Sequence, residues 1–198
     1  MPASRSKRAS VLLALGIAAW VAATLSGFVA LARYEFTPGR ATESAVLWPV
    51  GSTIERANDR PTLLIFAHPR CPCSQATVAE LEKIVARCQD KLLVRVVLFC
   101  PEGAGLEWTD STLCQSVRRI PGARITFDSE GHEAKRFGVS TSGHALLYDV
   151  AGRLLFSGGI TGGRGHEGDN AGRDAVIEWV DGHAALDSTP VYGCPIVD

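Results

Sequence analysis

Little in this chain is charged in one direction. Its 20 Lys and Arg stand against 21 Asp and Glu, a formal net charge of −1, and no basic run occurs beyond the first eight residues. Without a basic stripe or interleaved aromatics, the sequence offers no nucleic-acid surface. It also lacks any Gly-Lys-Ser/Thr, so a nucleotide P-loop is excluded. A formal G-x-G-x-x-G does occur at Gly163, Gly165 and Gly168. No strand pattern follows the helix after it, and the roughly thirty residues left are too few to complete a dinucleotide-binding βαβ unit. Neither nucleic acid nor nucleotide is an expected partner. There is no internal repeat and no low-complexity segment.

Charge is missing altogether from Ala9 to Ala32. As a helix, that stretch spans roughly 36 Å, enough to cross a bilayer. Arg5, Lys7 and Arg8 precede it, whereas Arg33, Glu35, Arg40 and Glu43 follow with mixed sign. The positive-inside rule then leaves residues 1–8 in the cytoplasm and sends the remainder across. A cleaved signal peptide is the competing reading, since Ala30-Leu31-Ala32 imitates a cleavage site. The apolar stretch exceeds the usual signal core of about 7–15 residues, which favours a retained anchor. Either way the domain is exported, where disulfides persist and six cysteines are less surprising. The expected organisation is a cytoplasmic end (1–8), an anchor (9–32), a tether (33–44) and one domain (45–198). The expected location is the cell inner membrane, crossed once, with the domain facing the periplasm or cell exterior.

Past the tether, Ala45 to Trp48 reads as a short strand. Thr62 to Phe66 is a buried strand, and Leu92 to Phe99, nearly all Leu and Val, is a strand covered on both faces. Between them Val78, Leu81, Val85 and Cys88 recur at helical spacing and form one apolar face. A second helix is expected over 111–119, capped by Asp110 or Ser111. A short strand over 124–127 and a short helix over 132–137 follow. A hairpin pairs 145–149 with 154–157, and a last helix runs over about 172–185. This order fits a central mixed sheet with helices on both faces.

The chemistry concentrates in His68-Pro-Arg-Cys71-Pro72-Cys73-Ser74, where a strand end passes into a helix start. Free N–H groups and the positive dipole end stabilise a thiolate there. Pro72 suits the first turn, where a missing N–H costs nothing. A second sulfur nearby can capture a mixed disulfide. His68 is placed to tune Cys71 or to ligate a metal.

Here the sequence resembles the thioredoxin-like superfamily, particularly its membrane-tethered extracytoplasmic members. Phe66, Cys71, Glu80 and Leu81 fall in register with that pattern without a gap, and Gly138-Val139 and Ala145 to Asp149 match the stretch before and along its fourth strand. More narrowly, His68 to Ser74, Gly165 to Asn170 and Gly193-Cys194-Pro195 are similar to the RedB group. The resemblance implies an α/β thioredoxin-like fold after one transmembrane helix. It also implies a thiol–disulfide oxidoreductase acting on exported protein thiols or disulfides, without a cofactor. Cys71 takes the nucleophile's place. Ser74 stands where the resolving cysteine belongs, so Cys73 is expected to resolve, through a small strained ring that leans oxidising or isomerising. Gly143-His144 occupies the place of the family's cis-proline, which puts His144 near Cys71 as a possible charged helper. The catalytic set expected is thus Cys71, Cys73, His68 and His144.

Two rival functions stay open. Cys71, Cys73 and His68 make a soft site suited to Cu(I), as in a metallochaperone, and a scaffold with a vestigial site is the third reading. A peroxidase is disfavoured, because His68 stands where a threonine would precede the peroxidatic cysteine. Of the other cysteines, Cys88 on its apolar face is expected in the core. Cys100 and Cys114 either pair or leave Cys114 in the core. Cys194 either reaches the active face or bridges Cys100 or Cys114, since spacing alone does not fix pairing. For the loop 162–170, a capping turn using Asp169 or Asn170 competes with a site contribution from Arg164, His166, Glu167 and Asp169. His132 and His183 are expected on the surface.

Overall fold

A computed structural model describes residues 3–40 and 42–197, with the side chains of 3–8 outside that description. Two compact units result, 1–36 and 37–198. The first is helix α1, Ala3–Phe36, of which Ala9–Phe36 is long and apolar enough to cross a membrane. The expected cytoplasmic end falls partly outside the described residues: 1 and 2 are not described, nor are the side chains of Arg5, Lys7 and Arg8.

In the second unit the long apolar runs become the centre of one five-stranded sheet. The strands are β1 (Thr62–Ala67), β2 (Leu93–Cys100), β3 (Ala123–Ser129), β4 (His144–Tyr148) and β5 (Leu154–Gly159), in the order β3-β2-β1-β4-β5. β3, β2 and β1 run parallel, whereas β4 is antiparallel to β1 and β5 to β4. The register pairs Phe66 of β1 with Val97 of β2 and with His144 of β4. β1 is buried along its whole length, as expected for a central strand with both faces covered.

The period of two divides the core. Leu63, Ile65, Val96, Ala145 and Leu147 face α2 (Ser74–Cys88), α4 (Thr112–Arg119) and α6 (Ala171–Val180). Leu64, Phe66, Val97, Leu146 and Tyr148 face Trp48, Ile54, α5 (His132–Phe137) and Ile196. The short helix α3 (Leu106–Thr109) follows β2 and was not anticipated from the sequence. The predicted strand at 45–48 reduces to a single bridge, Leu47 with Arg153. Pro49 and the turn at 50–51 stop it at once.

Caps behave as the sequence indicates. Ser111 accepts from the Cys114 N–H at the start of α4, and Gly138 closes α5 with φ +71°. Asn170 accepts from the Arg173 N–H at the start of α6. That helix stops at Val180, shorter than its expected span to 185, with Gly182 at φ +84° just beyond it.

Residues 187–197 form an extended strap rather than a frayed end. Ser157 N–H donates to Asp187 O (2.9 Å), Ser142 N–H to Cys194 O (2.8 Å) and Ile196 N–H to Ser140 O (2.9 Å). Ile196, 2% exposed, plugs the strap into the core. Gly193 lies so close to the chain that a Cβ there would collide with Ser142 O.

Candidate functional site

Three sulfurs meet above the junction of β1 and α2. The Sγ atoms of Cys71, Cys73 and Cys194 all lie within 4.8 Å of one another. The turn before α2 supplies the first two: Cys71 N–H donates to His68 O (3.0 Å) and Ser74 N–H to Cys71 O (3.1 Å). The strap supplies the third. No side chain caps α2, and the Cys73 N–H just before it is directed at the Cys71 sulfur.

Cys71 is the most sheltered of the three, 6% exposed, with Cys73 and Cys194 half-buried. Burial alone would raise its pKa. Hydrogen bonds from the Cys194 N–H and thiol, the Cys73 N–H and the Ser74 hydroxyl outweigh that burial and hold the Cys71 thiol below its ordinary range. The neighbours move the other way. Burial and the proximity of Cys71 raise Cys73, and the same two causes push Cys194 up to about 11. One sulfur is thus favoured as thiolate between two that keep their protons.

Beside Cys71 runs a surface groove lined by Pro69, Arg70, Pro72, Gln75, Asp110 and Thr112, among others. Trp108 stands near it as a platform: the Arg70 guanidinium lies 4.9 Å from its ring centre, and His68 packs edge-on to it and stacks on Phe99.

The two histidines are held in different ways. His68 uses Nδ1 to accept from the Arg70 N–H (3.1 Å), and its own N–H donates to Ser142 Oγ (2.9 Å). It shapes the turn that carries Cys71. The third soft ligand atom beside Cys71 and Cys73 belongs to Cys194 rather than to His68. His144 corrects the expectation of a charged helper. By the strand period it shares the face of Leu146 and Tyr148, away from α2, and it donates to or accepts from Ser157 Oγ at 2.8 Å. Burial lowers its pKa to about 4, which keeps the ring neutral.

Gly143 stands immediately before β4. Its φ is +89°, and its N–H donates to Phe66 O (2.8 Å). A Cβ there would sit 2.9 Å from Thr77 Oγ1. Next to it Ser142, buried, shares a hydrogen bond with Ser74 Oγ (2.8 Å). Ser74, the misfit in the expected Cys-x-x-Cys, therefore ties α2 to the approach of β4.

The glycine loop does reach the site, although it leaves from β5. Glu80, fully buried on α2, anchors it by accepting from the Gly168 N–H (2.8 Å) and Arg173 Nη1 (2.9 Å). That fixes Arg164, which donates to Gly193 O on the strap and whose positive charge favours the thiolates of Cys73 and Cys194. Of the two capping candidates, Asp169 and Asn170, it is Asn170 that caps α6. His166, Glu167 and Asp169 are exposed.

Of the other cysteines, Cys100 is a half-buried free thiol at the end of β2, unpaired with Cys114, and two lie in the core. Cys88 is 1% exposed in the core, and Cys114, fully buried, directs its thiol at Trp108 O. All six cysteines are thiols here.

No family model matches the sequence, and no curated protein matches it significantly. Solved structures do. An uncharacterized conserved protein from Geobacillus kaustophilus superposes with a TM-score of 0.59 at 14% identity, covering 82% of this chain and 93% of the other. A hypothetical protein from Sinorhizobium meliloti gives 0.57 at 22% identity, over 81% and 94%. StoA from Bacillus subtilis gives 0.47 at 14%, over 72% and 98%. With parallel β3-β2-β1, an antiparallel β4-β5 hairpin and cysteines where β1 passes into α2, the domain has a thioredoxin-like fold.

Proposed function

We propose that the protein is a thiol–disulfide oxidoreductase that acts on exported protein thiols or disulfides while α1 holds it to the membrane. The observation that carries this reading is the state of Cys71, a thiol lowered by four neighbouring donors at the edge of an open groove. Reactive cysteines occupy such environments, whereas structural ones are buried and inert. Cys71 attacks as thiolate, a neighbouring sulfur of the cluster captures the mixed disulfide, and the groove with Trp108 and Arg70 receives the polypeptide. The charge pattern around α1 supports an outward-facing domain at the inner membrane. Cys71→Ser tests the reading: disulfide reduction or formation on a model protein substrate should fall to the uncatalysed rate, and unchanged exchange would end it.

A second reading has its own support. Three sulfurs within 4.8 Å suit Cu(I), which favours thiolates, and they replace the two cysteines and histidine expected from sequence. Stoichiometric Cu(I) uptake by the reduced chain, lost in the Cys71/Cys73 double variant, would favour it.

A further inference from the structure

Cys71 has two sulfur neighbours, and they differ in how they are held. Cys73 follows through Pro72, whose φ is fixed, so a bridge between them closes a small ring inside the turn that starts α2. Cys194 meets Cys71 from a separate stretch of chain. That strap is pinned before it by the Gly39 N–H on Val191 O, at it by the Ser142 N–H on Cys194 O, and after it by the Ile196 backbone bond and side chain. Arg164 holds the strap again at Gly193.

Access divides the same way. The groove beside Cys71 is lined by residues 69–72, 75, 107, 110–112 and 115, and neither Cys73 nor Cys194 is among its walls. Exchange at sulfur is an in-line displacement in which the incoming and outgoing sulfurs stand on opposite sides of the attacked atom. A target bonded to Cys71 from the groove therefore leaves the strap side free for the resolving attack.

We propose that Cys194 is the resolving thiol, so that the working disulfide is Cys71–Cys194 and Cys73 serves chiefly as a donor to the Cys71 sulfur. This rests on the oxidoreductase reading and names its second sulfur. In the first step the Cys71 thiolate attacks one sulfur of a target disulfide, forming a mixed disulfide and expelling the other target sulfur as thiolate. Cys194 then gives its proton to that thiolate and attacks Cys71 Sγ. The Cys71–Cys194 bond forms, the bond to the target breaks, and the second target thiolate leaves. Two enzyme thiols are oxidised and one target disulfide becomes two thiols; the reverse sequence oxidises a target dithiol.

The test uses the full chain in detergent, equilibrated in glutathione redox buffers, quenched by alkylation and mapped by mass spectrometry. Native protein and Cys73→Ser should both form Cys71–Cys194, with similar midpoints. Cys194→Ser should shift the equilibrium towards thiols by about tenfold or more, near 30 mV, and accumulate Cys71–glutathione adduct. Mapping the native protein needs no variant, so the result does not depend on any variant folding. A native bridge between Cys71 and Cys73, with Cys194 alkylated throughout, would overturn the proposal and leave the oxidoreductase reading intact. Failure of Cys71 to enter any reversible disulfide, including the case where the thiols only take up Cu(I), would overturn both.

Discussion

His144 makes the clearest quantitative statement about this fold. Its ring lies on the sheet face away from the cysteines, 5% exposed, with one hydrogen bond to Ser157. The unfolded chain takes a proton on this side chain near 6.5, and the folded chain only near 4. Between those values the unfolded state binds more protons, so stability is full above 6.5 and falls as the pH drops towards 4. Integrated over that window, the loss at pH 4 is about 3 kcal/mol. For a domain of this size, that corresponds to a melting temperature lower by roughly 6–12 °C. Carboxylates such as Asp149 and Asp181, held below their usual range by Arg153 and Lys91, lose stability at still lower pH and blur a single curve. The assay is therefore a difference: melting of native protein and of His144→Gln at pH 7 and pH 4. The variant starts less stable and should lose about 3 kcal/mol less on acidification. Equal losses in the two proteins would refute the buried, neutral imidazole and reopen a charged role for His144.

Other outcomes follow from the same geometry. Alkylation of Cys71 by iodoacetamide should reach half its maximal rate at a pH below the ordinary thiol value of 9.0, and Cys194→Ala should move that point upward by removing one donor; a midpoint at or above 9.0 in native protein would contradict the site. Glu80→Ala leaves Arg173, only 14% exposed, without its buried partner and should cost about 3 kcal/mol in urea unfolding, whereas a loss under about 1 kcal/mol would show that Glu80 is not the loop's anchor. Because the Glu80 carboxylate is held below its usual range, its contribution is present above the unfolded value and disappears as the pH falls through the folded one. Gly193→Ala, whose Cβ collides with Ser142 O, should lift the strap and raise the Cys71 alkylation midpoint while circular dichroism stays native; an unmoved midpoint would mean that the strap does not control the thiol.

Elements that depend on local pattern were legible before any coordinates. The unbroken apolar run of β1, the helical spacing of Val78, Leu81 and Cys88, and a cap at 110–111 and at 169–170 each follow from a few neighbouring residues, with the structure selecting Ser111 and Asn170. So did Cys71 at a strand-to-helix junction. What distance along the chain conceals was not legible. The side-chain period places His144 opposite α2, but only the pairing of Phe66 with His144 reveals which face carries it. Glu80 appeared as part of a family pattern, and its partners Gly168 and Arg173 lie some ninety positions away. Ser142 carried no signal at all. For Cys194 the sequence left three destinations open, and the choice among them rests on Gly193, Ile196 and the backbone bonds of the strap.

The strap also imposes an order in time. Cys71 and Cys73 are synthesised well before Cys194, and any strand-by-strand assembly of the sheet can bury Leu64, Phe66 and Leu146 while the third sulfur is still to come. Until it arrives, Cys71 lacks the N–H and thiol of Cys194, the two donors that do most to lower it. Its sulfur then stays closer to an ordinary thiol, which exchanges slowly at neutral pH. Completion of the fold, rather than the turn that carries Cys71, is therefore what brings this thiol to its lowered state.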